Sequence, residues 1–395
     1  MKRRILTILL GALLILIGMM WRVERGRAVT NMGEFTLPDE DTYTAEAVAS
    51  AIALIHDARE DPKYPCPSPQ SPKPNEKSQI TCRDVHSKAH GCIRAVFKVL
   101  GVDSKYRHGL FAAPGEYKTW IRYSNGTPPV HPDSTRDARG MAIKVTGVAG
   151  EKLLDGEKDA DTQDFVLMNS PVYFVRNIKD YTLFAQYLGN NNPAAFFFNG
   201  FSPNPLTWQV RDMWLLLTSG QTGAPASLLG AQFYSATAYK LGPELNVRYS
   251  ARPCATVNPA KVDRSKFNFL RDGLKADLAG GPACFEFMVQ TQRLDKYMPV
   301  EDPTVKWSED DSPFVPVARI EIPKQDFDTP EQNKFCEDLS FNPWHSLAAH
   351  RPLGGLNRVR KALYQEIARY RRAKMGVPFH EPKGWCLDLT WAKCE

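Results

Sequence analysis

Near the C-terminus of this chain, within HRPLGGLNRVRKALYQEIARYRR (350–372), stand an arginine, a tyrosine and a second arginine whose spacing could do chemistry: Arg360, Tyr364 and Arg371. If the stretch is helical, these residues share one face with Ile367, because positions three and four apart are helical neighbours. A guanidinium one turn before a phenol favours the phenolate and lowers a pKa that is ordinarily about 10. A phenolate is a hard anionic ligand for ferric iron, and tyrosine can serve as a haem axial ligand. Arg-x-x-x-Tyr is also common on basic, solvated helices, so the pair gains meaning only from its company.

That company lies upstream. In RDVHSKAHGCIRAVFKVL (83–100), His86 and His90 stand four apart, but no Glu follows the first His and Gly91 argues against a continuous helix. A zinc-type pair is therefore disfavoured, and the β-branched and aromatic content of residues 93–99 predicts a strand. Two further strands, 120–124 and 141–145, flank a Pro- and Asp-rich excursion. They could gather Arg122, Ser124, Arg136, Asp137 and Arg139 in an apolar frame. Buried arginines require anionic partners. Asp137 can serve one of the three, which leaves room for a bound polyanion. A strand over 164–168 ends at Asn169, which is either a turn former or a donor reaching into a pocket.

The elements that must position these groups follow from pattern. The 395 residues are 43% hydrophobic and 24% charged, ample for a large core. A net charge of +6, spread along the chain, does not argue for nucleic acid. Residues 45–58 read as a helix and 178–220 as helical and aromatic-rich. Residues 232–249, 285–292 and 314–323 read as strands, and the tail from 339 to 372 as helical after an irregular start. Antiparallel-type strands with helices gathered after them predict an α+β fold, a β-barrel plus helices.

The N-terminus reads differently. Lys2, Arg3 and Arg4 precede a charge-free apolar run, 5–21, which ends without a small-residue cleavage site. The expectation is an uncleaved transmembrane helix that anchors the chain in a membrane, with the bulk on the extracytoplasmic, periplasmic side. Eight cysteines, with no Cys-x-x-Cys, disfavour zinc and allow disulfides. Proximity suggests Cys386 with Cys394 and Cys66 with Cys82, with free buried thiols as the alternative. The expected division is a cytoplasmic start and anchor (1–27), a linker and lead-in helix (28–80), the main domain (81–376) and an irregular tail (377–395).

Taken together and in order, these segments resemble the haem catalases. Arg83-Asp84-Val85-His86-Ser87-Lys88 resembles the Arg-Val-Val-His-Ala-Lys around the catalase distal histidine. Arg122-Tyr123-Ser124 resembles the Arg-Phe-Ser strand, and Arg136-Asp137-Ala138-Arg139-Gly140 resembles Arg-Asp-Pro-Arg-Gly. Met168-Asn169-Ser170-Pro171-Val172-Tyr173-Phe174 resembles Asn-Asn-Thr-Pro-x-Phe-Phe. Arg360-Lys361-Ala362-Leu363-Tyr364 resembles the proximal Arg-x-x-x-Tyr. The resemblance runs from about Cys82 to Arg372 and implies a catalase-like antiparallel β-barrel with helices packed around it.

It also implies a site that binds haem b. Tyr364 would bind the iron as phenolate, held ionised by Arg360. His86 would be the distal acid and base, and Asn169 a distal donor. Arg83, Arg122 and Arg371 would meet the haem propionates. Ser124 would orient His86, and Val85 would narrow the approach to the iron. The implied activity is catalase or peroxidase turnover of hydrogen peroxide or organic hydroperoxides. The alternatives are a lipid hydroperoxide isomerase or lyase of the allene oxide synthase type and a non-enzymatic haem-binding protein. The membrane anchor would make lipid hydroperoxides reasonable substrates, and oligomerisation is open to such a chain. Two departures stand out. Ala89-His90-Gly91-Cys92-Ile93-Arg94 replaces a Gly- and Ala-rich stretch after the distal histidine, and the chain is shorter than a typical catalase.

Overall fold

The structure is a computed structural model that describes residues 2–60, 83–128, 130–190, 192–218, 223–389 and 394. Its centre is a closed antiparallel barrel. The strands are β1 (Ala89–Val99), β2 (Gly115–Asn125), β3 (Arg139–Thr146), β4 (Thr162–Met168), β5 (Phe233–Tyr234), β6 (Tyr239–Leu241), β7 (Leu245–Pro253), β8 (Ala283–Thr291) and β9 (Val315–Ile322). The order is β5-β4-β3-β2-β1-β9-β8-β7-β6, and β5 also pairs with β7. That last pairing closes eight strands into a ring and leaves β6 appended to β7. Closure removes the open edges that would otherwise pair with other chains.

Strand alternation sorts the side chains. Ile93, Ala95, Phe97 and Val99 of β1, Ile121 and Tyr123 of β2, and Phe165 and Leu167 of β4 all belong to one buried cluster inside the barrel. Phe165 packs against Phe287 with ring centroids 4.7 Å apart and against Phe97 at 6.0 Å. The intervening residues of the same strands, Arg122, Ser124, Gly140 and Ala142, face the other way. The chemistry-bearing residues therefore lie on the outer face of the barrel wall.

Eight helices complete the described residues: α1 (Lys2–Gly26), α2 (Glu40–Glu60), α3 (Ile178–Gly189), α4 (Ala194–Phe197), α5 (Val210–Thr218), α6 (Phe269–Gly280), α7 (Pro330–Asp338) and α8 (Gly355–Met375). Helix α8 starts after Gly354 and stops at Gly376, whose φ of 66° is a left-handed cap that glycine takes without strain. Leu356, Val359, Arg360, Leu363, Ile367 and Arg371 form its buried stripe. Helix α2 packs Ala51 and Ile55 against Leu363 and Ile367 of α8.

One expectation is corrected. Helix α1 forms, but no helix among the described residues is long and apolar enough to cross a membrane. The charge-free run of α1 would rise only about 25 Å at the helical 1.5 Å per residue, short of a hydrocarbon core of about 30 Å. Its charged end is also used within the fold. Glu24 pairs with Arg176, and Arg27 donates to Gln209 Oε1 over 2.8 Å. The expected transmembrane helix therefore falls, and with it the membrane attachment and the extracytoplasmic placement that rested on it.

Cys386 pairs with Cys394, as their proximity suggested. Cys92–Cys336 ties β1 to α7 across 244 residues, and Cys254–Cys284 joins β7 to β8. Cys66 and Cys82 lie outside the described residues.

Candidate functional site

A narrow cleft lies between the outer wall of β2, β3 and β4 and the buried face of α8. Val85, His86, Ser124, Gly140, Ala142 and Val166 line one side, and Tyr364, Ile367, Ala368 and Arg371 the other. Arg83, Asp84, Arg122 and Phe341 complete the lining. Eight of the nine expected site residues thus face or border one cavity.

On the helix side, Arg360 Nη2 donates to Tyr364 Oη over 2.9 Å, while its Nη1 donates to Asn357 Oδ1 over 3.1 Å. The guanidinium carbon also stands 4.9 Å from the centre of the tyrosine ring. The expectation that Arg360 would leave Tyr364 with a lowered pKa is corrected. Burial dominates and pushes the phenol up to about 12, with Arg360 pulling the other way. Ionising Tyr364 near neutral pH requires a further cation in the cleft.

On the barrel side, His86 sits in a loop before β1 with φ at 57°, a left-handed conformation that costs a non-glycine residue energy. The loop is pinned there by His86 N–H donating to Gly126 O over 2.8 Å. His86 Nδ1 is 3.0 Å from Ser124 Oγ. Gly140 makes this approach possible, since a Cβ there would stand 2.7 Å from His86 Nδ1 and 2.8 Å from Ser124 Oγ. Burial, reinforced by the nearby charge of Arg122, pushes the imidazole down to about 4, so His86 is neutral at physiological pH.

Three guanidinium groups gather at one end of the cleft. Arg83 Nη1 donates to Glu337 Oε2 over 2.8 Å and its Nη2 to Leu339 O over 2.9 Å. Arg122 Nη2 donates to His86 O over 3.0 Å and stands 3.9 Å from Glu337 Oε1. Arg371 Nη2 donates to Glu337 O over 3.0 Å and lies 3.5 Å from Glu337 Oε2. Burial and the charge of Arg83 push Arg122 down to about 9, and the same two causes hold Arg371 well below its ordinary value. Burial opposes ionisation of Glu337, but Arg83, Arg122 and Arg371 together hold its carboxyl below the usual range. Asp84, pushed up to about 6 by burial, is a weaker acid within the field of Arg371 and Arg83.

The other expected residues separate. Asn169 follows β4 outside the cleft wall; its Oδ1 accepts from Arg139 N–H over 2.6 Å and its own N–H donates to Arg139 O over 2.9 Å. Arg139 turns away from the cleft and donates to Asp133 O and Thr135 O. Asp137 accepts from the amides of Gly126 and Thr127 and lies 3.0 Å from His131 Nε2. Arg136 is exposed. His90 is wholly buried in β1 and bonds Asn125 Oδ1 over 2.8 Å, so it forms no pair with His86.

Two other places bring polar groups together. An open cavity beside the Cys254–Cys284 disulfide is lined by Asp277 of α6 and Glu321 of β9. Asp277 already accepts from Ser227 and from Ala260 N–H. Glu157, His345 and Glu381 bring donor atoms within 4.8 Å of one another. There His345 already bonds Glu157 and Thr162, and Lys144 pairs with Glu381 and with Asp164, so protons and an ammonium fill the place of a cation.

Comparison of sequences finds no matching family model and no matching curated protein. Comparison of structures is different. The fold matches a fungal catalase with a TM-score of 0.59 at 18% identity, over 74% of this chain and 59% of that one. It matches catalase A from Saccharomyces cerevisiae with a TM-score of 0.59 at 19% identity, over 74% and 61%. It matches a bacterial catalase with a TM-score of 0.57 at 16% identity, over 80% and 64%. The chain thus has a catalase-like fold, an eight-stranded antiparallel barrel with helices packed around it. It spans about three-fifths of the length of the catalases it matches.

Proposed function

We propose that this chain is a haem-dependent oxidoreductase that decomposes peroxides. The observation that carries the reading is that one cleft has Arg360-bonded Tyr364 on its helix wall and Ser124-bonded His86 on its barrel wall.

The residues fit a haem. Tyr364 offers a phenol oxygen whose neighbour is a guanidinium donor. Arg83, Arg122 and Arg371 bring three positive charges to one carboxylate, and the buried Arg122 Nε has no hydrogen-bond partner. Propionates are the groups such a cluster would take. The wall between these ends is apolar at Val85, Ala142, Val166, Ile367 and Ala368, as a porphyrin face requires. When bound, haem would supply a Lewis-acidic, redox-active iron at which a peroxide is polarised.

The chain's own residues do the rest. Tyr364 would hold the iron as phenolate, with Arg360 donating to its oxygen as it does to the phenol. With Nδ1–H donated to Ser124 Oγ, the Nε2 of His86 presents a lone pair. His86 takes the proton of the inner peroxide oxygen and returns it to the outer one, so that the leaving group is water. The low pKa of His86 keeps this base free.

The apolar wall and Phe341 leave the peroxide class to experiment, hydrogen peroxide against organic hydroperoxides. The test is oxygen evolution and hydroperoxide loss by the haem-loaded protein and by His86→Ala. Loss of turnover with retained haem absorbance supports the reading. Unchanged turnover removes His86 from it. Faster turnover of a fatty acid hydroperoxide than of hydrogen peroxide, without oxygen release, would favour the isomerase or lyase alternative.

A further inference from the structure

Glu337 belongs to none of the motifs that marked the cleft, yet three arginines converge on it. It is the next-to-last residue of α7, 6% exposed, and next to the disulfide-bonded Cys336. Its carboxylate lies 2.8 Å from Arg83, 3.5 Å from Arg371 and 3.9 Å from Arg122, and its backbone oxygen accepts from Arg371. We infer that Glu337 is the resident counter-ion that assembles the three arginines in the cleft and holds them for an anionic carboxylate ligand.

The argument is one of charge at close quarters. Three guanidinium groups this near one another repel strongly where water is excluded, so they stay together only around an anion. Glu337 offsets one of the three guanidinium charges, and Asp84, with a pKa of about 6 in the field of Arg371 and Arg83, offsets a second at neutral pH. The cluster keeps a positive charge that a carboxylate ligand balances. Leaving a buried charge without its partner costs more than the pair itself contributes. Glu337 is thus a positioning residue. It holds Arg83, Arg122 and Arg371 for the ligand and makes no contact with the reacting atoms. Its place is fixed from two sides, by the Cys92–Cys336 bridge to β1 and by the bond from Arg371 of α8.

This inference rests on the haem reading for the identity of the carboxylate ligand, and its test separates the two. Wild type, Glu337→Gln and the double variant Glu337→Gln/Arg371→Gln are compared without iron. Thermal unfolding is followed alone, with protoporphyrin IX and with its dimethyl ester, and binding is followed by porphyrin fluorescence. Glu337→Gln is expected to lower the Tm of the free protein by several degrees. The diacid should restore it, with a larger upward shift than in wild type, and the diester should not. Removing the Arg371 charge in the double variant should recover part of the loss without any ligand. A purely structural Glu337 would lower the Tm equally with and without the diacid, and Arg371→Gln would add a further loss. Either result overturns the inference. If Glu337→Gln does not fold, the double variant is expected to fold, and its failure overturns the inference as well. If wild type binds neither porphyrin, the haem reading falls, and the counter-ion role is decided by the Tm values of the single and double variants.

Discussion

Arg360 donates to the phenol oxygen of Tyr364 across 2.9 Å, one turn apart on α8, yet the phenol remains harder to ionise than free tyrosine because burial outweighs the guanidinium. Binding of a ferric porphyrin through the phenolate must therefore release a proton. With the phenol near 12, apparent affinity should rise about tenfold per pH unit between roughly pH 6 and 9. Arg360→Gln should weaken uptake at each pH, and Arg360→Lys should weaken it less. Absorbance titrations at several pH values measure this; affinity independent of pH would exclude a phenol-to-phenolate step.

His86 gives a pH dependence of the same sign at a lower pH. Its folded pKa of about 4 lies below the ordinary histidine value of about 6.5. Between those values the unfolded chain holds more protons than the folded one. Stability contributed by the neutral ring is thus full above about 6.5 and falls as pH drops towards 4. Turnover should hold steady above about pH 6 and fall as pH approaches 4. His86→Gln should remove part of the acid sensitivity of unfolding, which chemical denaturation at pH 7 and at pH 4.5 compares directly. Equal losses in both proteins would show that His86 does not titrate in this range.

The contact of His86 with Ser124 depends on the absence of a side chain at Gly140. Gly140→Ala places a methyl group against both partners, and Ser124→Ala removes one of them. Both variants should keep porphyrin binding and lose about ten- to a hundredfold in peroxide turnover, the usual cost of disturbing a group that orients a catalytic ligand or base. A turnover within twofold of wild type in both would separate Ser124 from the function of His86.

The Cys92–Cys336 bridge closes a loop of 244 residues, so its removal should cost about 5.5 kcal/mol by the loop-entropy argument. The Cys92→Ala/Cys336→Ala protein should unfold at clearly lower denaturant. It should also bind porphyrin less well, because Arg83 donates to the backbone oxygens of Cys336 and Leu339. Denaturant midpoints and porphyrin titration check the two effects separately.

Much of this site was legible in the sequence because its signals are local. The alternation through Arg122, Tyr123 and Ser124 places the first and last on the outer face of β2, and the spacing of Arg360, Tyr364 and Arg371 places them on one helical stripe. The barrel follows from many short alternating strands. What was not legible is non-local. Glu337 stands in a short helix without a motif, and only the fold brings it to Arg83, Arg122 and Arg371. The Cys92–Cys336 pair carries no proximity signal. Asp137 is expected from the sequence to serve one of Arg122, Arg136 and Arg139; it lies 3.5 Å from Arg139, and both complete the excursion before β3, away from the cleft. The net effect on Tyr364 depended on depth of burial, which spacing does not reveal. The apolar run of α1 was read for its hydropathy alone, and it is too short for a span and ends in charges that pair within the fold.

The central claim is that Tyr364 is the iron ligand of a haem held in this cleft. The most direct measurement is the absorption and resonance Raman spectrum of the haem-loaded protein beside Tyr364→Phe. The account predicts a high-spin ferric spectrum with iron–tyrosinate vibrations in the wild type. In the variant those vibrations should vanish and ferric haem affinity should fall by at least tenfold, while iron-free protoporphyrin IX binds as before. An unchanged ferric spectrum in Tyr364→Phe would contradict it.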